Sequence, residues 1–392
     1  MPVELNALRL RLLGQVLQQG AATDPPVVNA LRTVPRHLFL PDLPPEQAYQ
    51  DEAIVTKRDD DGRPISSSSQ PTIMAIMLDQ LAARDGQRVL EIGAGTGFNA
   101  ALLAHIVGGR GRVTSVDLDA DTIEHARENL DAAGCADVAL VNGDGALGCP
   151  ERAPYDRIIA TVGVWDLVPA WREQLAPGGR LVVPLDLHGV QRSVAFELDG
   201  DHWTSRSAQP CGFMRMRGPF AGPERNYRVS DAVTLSLPHD RAVDPEALAA
   251  VLAETPTVVG TGTTPSIAEL FDGLSLWLAV REPRWCGLSE VAGGGEPTLR
   301  DAPMRAPEAV VTAGILADDG VALLSRTGDE LTVLGYGNDT VAGDLLGHVH
   351  DWNSAGRPGS NGLRIDAYPA GVSSPDGDIV LEKAECRLVL SW

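Results

Sequence analysis

Leucines recur at helical spacing from Leu5 to Leu17 and predict an amphipathic helix. Asp24-Pro25-Pro26 predicts the cap and first turn of a second helix running to about Leu31. Val34 to Leu40 breaks that helix and opens an irregular segment up to Ser69, after which Pro71 to Leu81 is helical again. From Arg88 the pattern changes to short apolar runs at Arg88–Ile92, Arg112–Asp117, Ala139–Val141 and Tyr155–Thr161. They alternate with helical stretches at Asn99–Val107, Ala120–Ala133 and Val168–Leu175, and a Pro177-Gly178-Gly179 turn leads into a strand at Arg180–Pro184. Strand alternating with helix predicts an α/β fold with a parallel, doubly wound sheet. Arg192–Glu197 and His202–Arg206 read as antiparallel strands that complete its edge.

Past Gly218 the grammar shifts, with Pro219, Gly222 and Pro223 marking a boundary. Helices are expected at Pro245–Glu254, Pro265–Leu278 and Thr340–Trp352, and strands at Gly320–Ser325, Glu330–Tyr336, Leu363–Tyr368 and Ile379–Leu390. The chain therefore divides into residues 1–217 and a second, α+β domain over 218–392, with Gly293 to Pro307 as a mobile loop. A length of 392 residues suits two domains. A net charge of −21, with no basic run longer than two residues, argues against a nucleic-acid partner. Five scattered cysteines without a Cys-x-x-Cys pair, and no His-Glu-x-x-His, predict reduced thiols and no metal site. With neither a signal segment nor an apolar run of membrane length, the expectation is a cytoplasmic protein without a membrane partner.

Candidate chemistry concentrates at the strand ends. Val89 to Gly97 is an apolar strand entering a Gly-x-Gly-x-Gly turn, where glycine lets the backbone approach a ligand. Asp117, ending the second strand, would accept both ribose hydroxyls, and Asp144 beside Gly145 lies where an adenine edge would sit. Glu91 discriminates between cofactors. A carboxylate two residues before the first glycine would repel a pyrophosphate, whereas the ammonium and sulfonium of S-adenosylmethionine would be attracted. The pattern thus predicts a class I, Rossmann-like methyltransferase domain.

The first half further resembles the protein-L-isoaspartate O-methyltransferases. The resemblance covers roughly residues 25 to 217 and rests on Val34-Pro-Arg-His-x-Phe39, Ala48-Tyr49-x-Asp51, Ser69-x-Pro71, Val89 to Gly97, Gly143-Asp144-Gly145, Ala153-Pro-Tyr-Asp156 and Gln174 to Pro184. It implies that Ser69, with Ser68 and Ser67, aims the substrate carboxylate, and that the cofactor set is Ser66, Glu91, Gly93, Ala94, Gly95, Asp117, Leu118, Asp144, Gly145 and Thr161. Tyr49, Asp51 and Trp165 become expected substrate contacts.

Two departures stand out. The family's Gly-Gln-Thr-Ile-Ser signature has become Gly62-Arg-Pro-Ile-Ser66-Ser67-Ser68-Ser69, preceded by the charged insert Lys57 to Asp61. The chain also continues well beyond a usual member. Long forms with a serine run, a Cys211-Gly-Phe segment and a late Trp352-x-x-x-Gly356-Arg-Pro look like enzymes of lanthipeptide, lasso-peptide and graspetide pathways. That likeness implies methylation of an aspartate in a ribosomally made, macrocyclic peptide, followed by aspartimide or isoaspartate, with the second domain reading the peptide. The alternatives are repair of isoaspartyl proteins and a degenerate peptide-binding module. Thr161-Val-Gly-Val, in place of an Asn/Asp-Pro-Pro-Tyr/Phe motif, argues against nucleic-acid methylation.

Overall fold

The computed structural model describes residues 2–60, 62, 64–223, 225–291, 298–299, 301–306 and 309–392. Helices Pro2–Gln18 (α1) and Pro25–Thr33 (α2) follow the apolar periodicity, turning Leu12, Leu13, Val16, Val27 and Leu31 inward. The segment expected to be irregular contains more order than its composition suggests. After one turn at Pro45–Ala48 (α3) it forms a hairpin, Ile54–Arg58 (β1) against Pro64–Ser68 (β2). Serine is a weak strand former, but Ile54 and Val55 supply β-branched partners opposite Ser68 and Ser67.

Pro71–Leu81 (α4) leads to the alternating region, which runs Arg88–Ile92 (β3), Phe98–Val107 (α5), Arg112–Asp117 (β4), Ala120–Ala132 (α6), Ala139–Asn142 (β5) and Tyr155–Ala160 (β6). Pro169–Gln174 (α7), Leu175–Asp186 (β7), Gln191–Asp199 (β8) and His202–Cys211 (β9) complete it. Neighbours lie in the order β9-β8-β7-β6-β3-β4-β5, parallel from β7 to β5 and antiparallel for β8 and β9. Period-2 alternation gives this sheet two apolar faces. Val89, Ile159 and Val182 face the cluster under α1, α2, α4 and α5, whereas Leu90, Ile158 and Leu181 face a cluster containing Trp171. The connections diverge between β3 and β6, which opens a crevice at the carboxyl ends of the strands.

The second domain is richer in strands than its sequence suggests. Arg225–Arg228 (β10), Val233–Leu237 (β11), Thr257–Gly260 (β12), Trp285–Val291 (β13), Met304–Ala306 (β14), Ala309–Leu316 (β15), Gly320–Thr327 (β16) and Glu330–Gly337 (β17) make an antiparallel sheet in the order β10-β11-β13-β15-β16-β17-β12, with β14 on β15. Pro245–Leu252 (α8) and Asp339–Ser354 (α11) are its longer helices. The helix expected at Pro265–Leu278 has three parts: Ile267–Glu269 (α9), a π-helical turn at Leu270–Leu274, and Ser275–Arg281 (α10). Of the Gly293–Pro307 loop, residues 293–297, 300 and 307 lie outside the described residues.

The division at residue 218 is crossed twice. Arg364–Pro369 (β18), Ile379–Glu382 (β19) and Cys386–Ser391 (β20) return to the first sheet and extend it as β19-β20-β18-β9. Asp366 pairs with Thr204 and Ala367 with Trp203, so the open edge of β9 is closed by chain from far downstream. Ile365, Ala367, Leu388 and Leu390 join the same cluster as Trp171, as do Leu276 and Val280 of α10. The run expected as one strand from Ile379 to Leu390 bends at Lys383-Ala384-Glu385. Buried Asp166 holds that bend by accepting the backbone N–H of Glu385 at 2.6 Å.

Candidate cofactor and active site

A cavity of about 400 Å³ opens at the carboxyl ends of β3, β4 and β6. Its floor is the glycine turn. Gly93 has φ +98°, and a Cβ there would stand 2.8 Å from Thr161 Oγ1, so the turn can hold only glycine at this point. Thr161 in turn donates its hydroxyl to the Gly93 carbonyl at 2.8 Å, locking the first and fourth parallel strands together. The backbone N–H of Gly95 donates to Asp117 Oδ2 at 3.1 Å, which ties the acid to the turn it faces. Ala94, Gly95, Asp117, Leu118, Asp144, Gly145 and Thr161, expected to hold the cofactor, all line the cavity. Leu118 leaves 46% of its surface exposed there, an apolar shelf beside Asp117.

Glu91 is placed differently from the expectation. It has no exposed surface and lies off the cavity wall, accepting Asn99 Nδ2 at 2.7 Å and Ser115 Oγ at 2.5 Å. Asn99 is the residue that reaches the cavity, and its Oδ1 is buried without a hydrogen-bond partner. The carboxylate therefore bears on the site through the amide, whose orientation it fixes. Sequence reasoning missed Asn99; its signal was a lone amide in the first turn of α5, whose other residues are apolar apart from His105.

Burial pushes the Glu91 carboxyl up to about 7, against the pull of its two donors. The folded chain then holds a proton that the unfolded chain releases between pH 4.5 and about 7, so this group's contribution to stability falls as pH rises through that window. Thermal melts should show wild type losing on the order of 3 kcal/mol relative to Glu91→Gln between pH 5 and 8. Parallel curves for the two proteins would remove Glu91 as a titrating group.

The hairpin forms the opposite wall. Ser66, Ser67, Ser68 and Ser69 all line the cavity, and the Ser67 carbonyl comes within 3.4 Å of a Cβ built on Gly95. Ser68 Oγ is buried with no partner. The backbone carbonyl of Ser69 is held by Arg36, whose Nη1 donates to it at 3.0 Å. A strap closes over this end: Lys57 of β1 reaches Asp119 at 3.0 Å and Asp121 at 2.8 Å, and Arg217 pairs with the same Asp119 at 2.8 Å. The Arg217 bond, helped by Lys57, keeps the Asp119 carboxyl below its usual range. Of the charged insert, Asp61 lies outside the described residues.

The three expected substrate contacts lie off the cavity wall. Tyr49 is buried in the helical core with its hydroxyl 3.0 Å from His37 Nδ1. Asp51 organises the start of α4, accepting the Thr72 N–H at 2.9 Å and the Thr72 hydroxyl at 2.7 Å. Trp165 packs against Gly222 and beneath the Lys383 ammonium, 5.0 Å from its ring centre. Each is thus packing or capping in the free chain. In their place the wall includes Phe213, Met214 and Phe271, the last contributed by the π-helical turn. Among the described residues, no group of three or more His, Cys, Asp or Glu side chains could hold a metal.

The residues present fit S-adenosylmethionine. Asn99, which lines the cavity, has a buried Oδ1 with an unmet hydrogen bond, and an ammonium would meet it. Comparison with known proteins decides the family. The model for protein-L-isoaspartate(D-aspartate) O-methyltransferase matches residues 8–217. The chain belongs to this family. The Methanococcoides burtonii protein-L-isoaspartate O-methyltransferase is 41% identical over 163 residues, covering 42% of this chain and 77% of that one. The enzyme of the same name from Hyperthermus butylicus is 34% identical over 225 residues, 55% of this chain and 91% of that one. The Thermotoga maritima enzyme is 41% identical over 171 residues, and the matched stretch covers 43% of this chain and 53% of the Thermotoga protein. A solved protein-L-isoaspartate O-methyltransferase structure aligns over 91% of this chain and 96% of its own at a TM-score of 0.52 and 24% identity, a likeness of fold. As a protein-L-isoaspartate O-methyltransferase family member the chain is an S-adenosylmethionine-dependent carboxyl O-methyltransferase. Among the described residues, no helix is long and apolar enough to cross a membrane.

Proposed function

We propose that the chain esterifies the side-chain carboxylate of an aspartate in a ribosomally made, macrocyclic peptide. Asp117, Leu118 and Asp144 would hold the cofactor's adenosine and Asn99 its ammonium, and Ser68 and Ser69, with Ser67 beside them, would hold the peptide carboxylate. The observation that carries the assignment is the Ser68 hydroxyl, buried at the cavity and unpartnered, a donor awaiting an anion. S-adenosylmethionine supplies an electrophilic methyl on a sulfonium. A carboxylate is ionised near neutral pH, so serine donors without a histidine suffice. Their work is orientation, worth roughly 7–11 kcal/mol for well-aligned reactants. When bound, the cofactor would supply that methyl to a carboxylate oxygen and leave as S-adenosylhomocysteine. The following backbone nitrogen can then attack the ester carbonyl and expel methanol, leaving an imide that persists or hydrolyses to isoaspartate.

The Lys57 strap and the second-domain residue Phe271 on the cavity wall support a selected peptide over the open range of damaged proteins. The competing reading, isoaspartyl repair, is favoured by the names of the curated relatives. Mass spectrometry separates the two. Given an isoaspartyl peptide and a cyclised precursor in parallel, the protein should add a methyl to the precursor aspartate, followed by net loss of one water. Methylation of the isoaspartyl peptide alone would assign the chain to repair.

A further inference from the structure

Phe271 combines features that its packing leaves unexplained. It sits in a π-helical turn of the second domain, lines the cavity of the first, and leaves 48% of its surface exposed. Such turns are uncommon and cluster at functional sites. This one is gripped from both sides. Arg192, buried on β8, donates to the carbonyls of Phe271 at 3.3 Å and Asp272 at 2.7 Å. The Ser360 N–H donates to Asp272 Oδ1 at 3.0 Å, and its hydroxyl bonds the same oxygen. A Cβ on Gly273 would stand 2.9 Å from the Trp352 ring, whose indole N–H is fixed on the Pro358 carbonyl at 3.0 Å.

These contacts join two sequence motifs that the cofactor site does not use. The late Trp352 to Pro358 stretch braces the turn that carries Phe271. The Cys211-Gly-Phe segment continues β9 where Arg192 pairs with Pro210, and it lines the same wall. Pro210, Phe213, Met214 and Phe271 give that wall an apolar stretch, beside Arg215 and Arg217.

Its place in the sheet decides what it can touch. Phe271 is tied to β8, and β8 is separated from β4 by β7, β6 and β3. At about 4.8 Å per strand interval, the strand that carries Asp117 lies roughly 19 Å from β8 across the sheet. The end of β6, where Thr161 meets the glycine turn, is only two intervals away, roughly 10 Å, or about three residues of extended peptide.

We infer that Phe271 is a specificity residue of the second domain, packing on an apolar side chain within about three residues of the methylated carboxylate. This rests on the peptide-carboxylate reading above. The test uses the full-length protein saturated with S-adenosylhomocysteine, titrated with peptides carrying Leu or Ser at each position flanking the target residue. Both aspartyl and isoaspartyl versions are offered, and turnover is measured in parallel with S-adenosylmethionine. Wild type should prefer Leu at one position by about tenfold, the scale of burying one such side chain. Phe271→Ala should abolish that preference through KM with little change in kcat, Phe271→Leu should restore most of it, and S-adenosylhomocysteine affinity should be the same in all three. Absence of a preference in wild type, or its survival in Phe271→Ala, overturns the inference while leaving the methyltransferase reading intact. If wild type neither binds nor methylates any of the peptides, that reading fails and this one with it.

Discussion

Ending the chain after Gly218 should yield a protein that neither melts cooperatively nor binds S-adenosylhomocysteine. The cut looks clean in sequence, yet it removes β18, which covers the edge of β9, together with β20 and β19 beyond it. Ile365, Ile379, Leu381, Leu388 and Leu390 are each at most 4% exposed and all pack in the cluster that covers one face of the cofactor sheet. At about 1.5–3 kcal/mol per buried side chain, losing five removes roughly 8–15 kcal/mol. That is the whole stability of an ordinary domain, about 5–15 kcal/mol. Phe196 and Trp203, now 0% and 4% exposed, would also lose their cover. Circular dichroism melts and ligand titration check this outcome. A truncated protein that melts sharply and binds ligand would mean that β9 is a self-sufficient edge.

Arg36→Met should cost stability and activity together. The guanidinium is 1% exposed and donates to three backbone carbonyls: Ala48 at 2.8 Å, Ser69 at 3.0 Å and Glu52 at 3.3 Å. It also lies 5.1 Å from the Phe98 ring centre, and burial lowers its pKa to about 10. Methionine fills similar space and leaves three carbonyls without their donor, at about 1–3 kcal/mol for each left unsatisfied. A loss on the order of 4 kcal/mol should lower the melting temperature by roughly 10 °C. Because the Ser69 carbonyl loses its tether, methyl transfer should fall much further than S-adenosylhomocysteine affinity. Arg36→Lys should rescue little, since an ammonium cannot reproduce the planar fork. Wild-type melting and turnover in Arg36→Met would show that the three carbonyls find other donors.

What the sequence disclosed depended on whether the cause was local. The glycine turn, Asp117 and Asp144 were legible because a strand end, a positive φ and an acid leave marks within a few residues. Glu91 was identified as important, but its burial behind Asn99 depends on which face of β3 it occupies and what packs there. Tyr49 and Asp51 belong to a recognisable motif, and a motif does not say whether its members touch ligand or hold the helix beside it. The π-turn has an ordinary helical pattern in sequence; Arg192, 80 residues from Asp272, helps hold its geometry. The return of β18 to β9 was illegible for the same reason, since alternating strands fit any open edge.

That return also sets a schedule for synthesis. Thr204 and Asp366, whose side chains bond at 2.8 Å across adjacent strands, are 162 residues apart. At about 5–20 residues per second, the ribosome needs roughly 8–30 s to make the second strand after the first. During that interval the methyltransferase half waits with an unfilled edge while an entire intervening domain is made and can fold. A prematurely released chain would expose the edge of β9 as a site for aggregation.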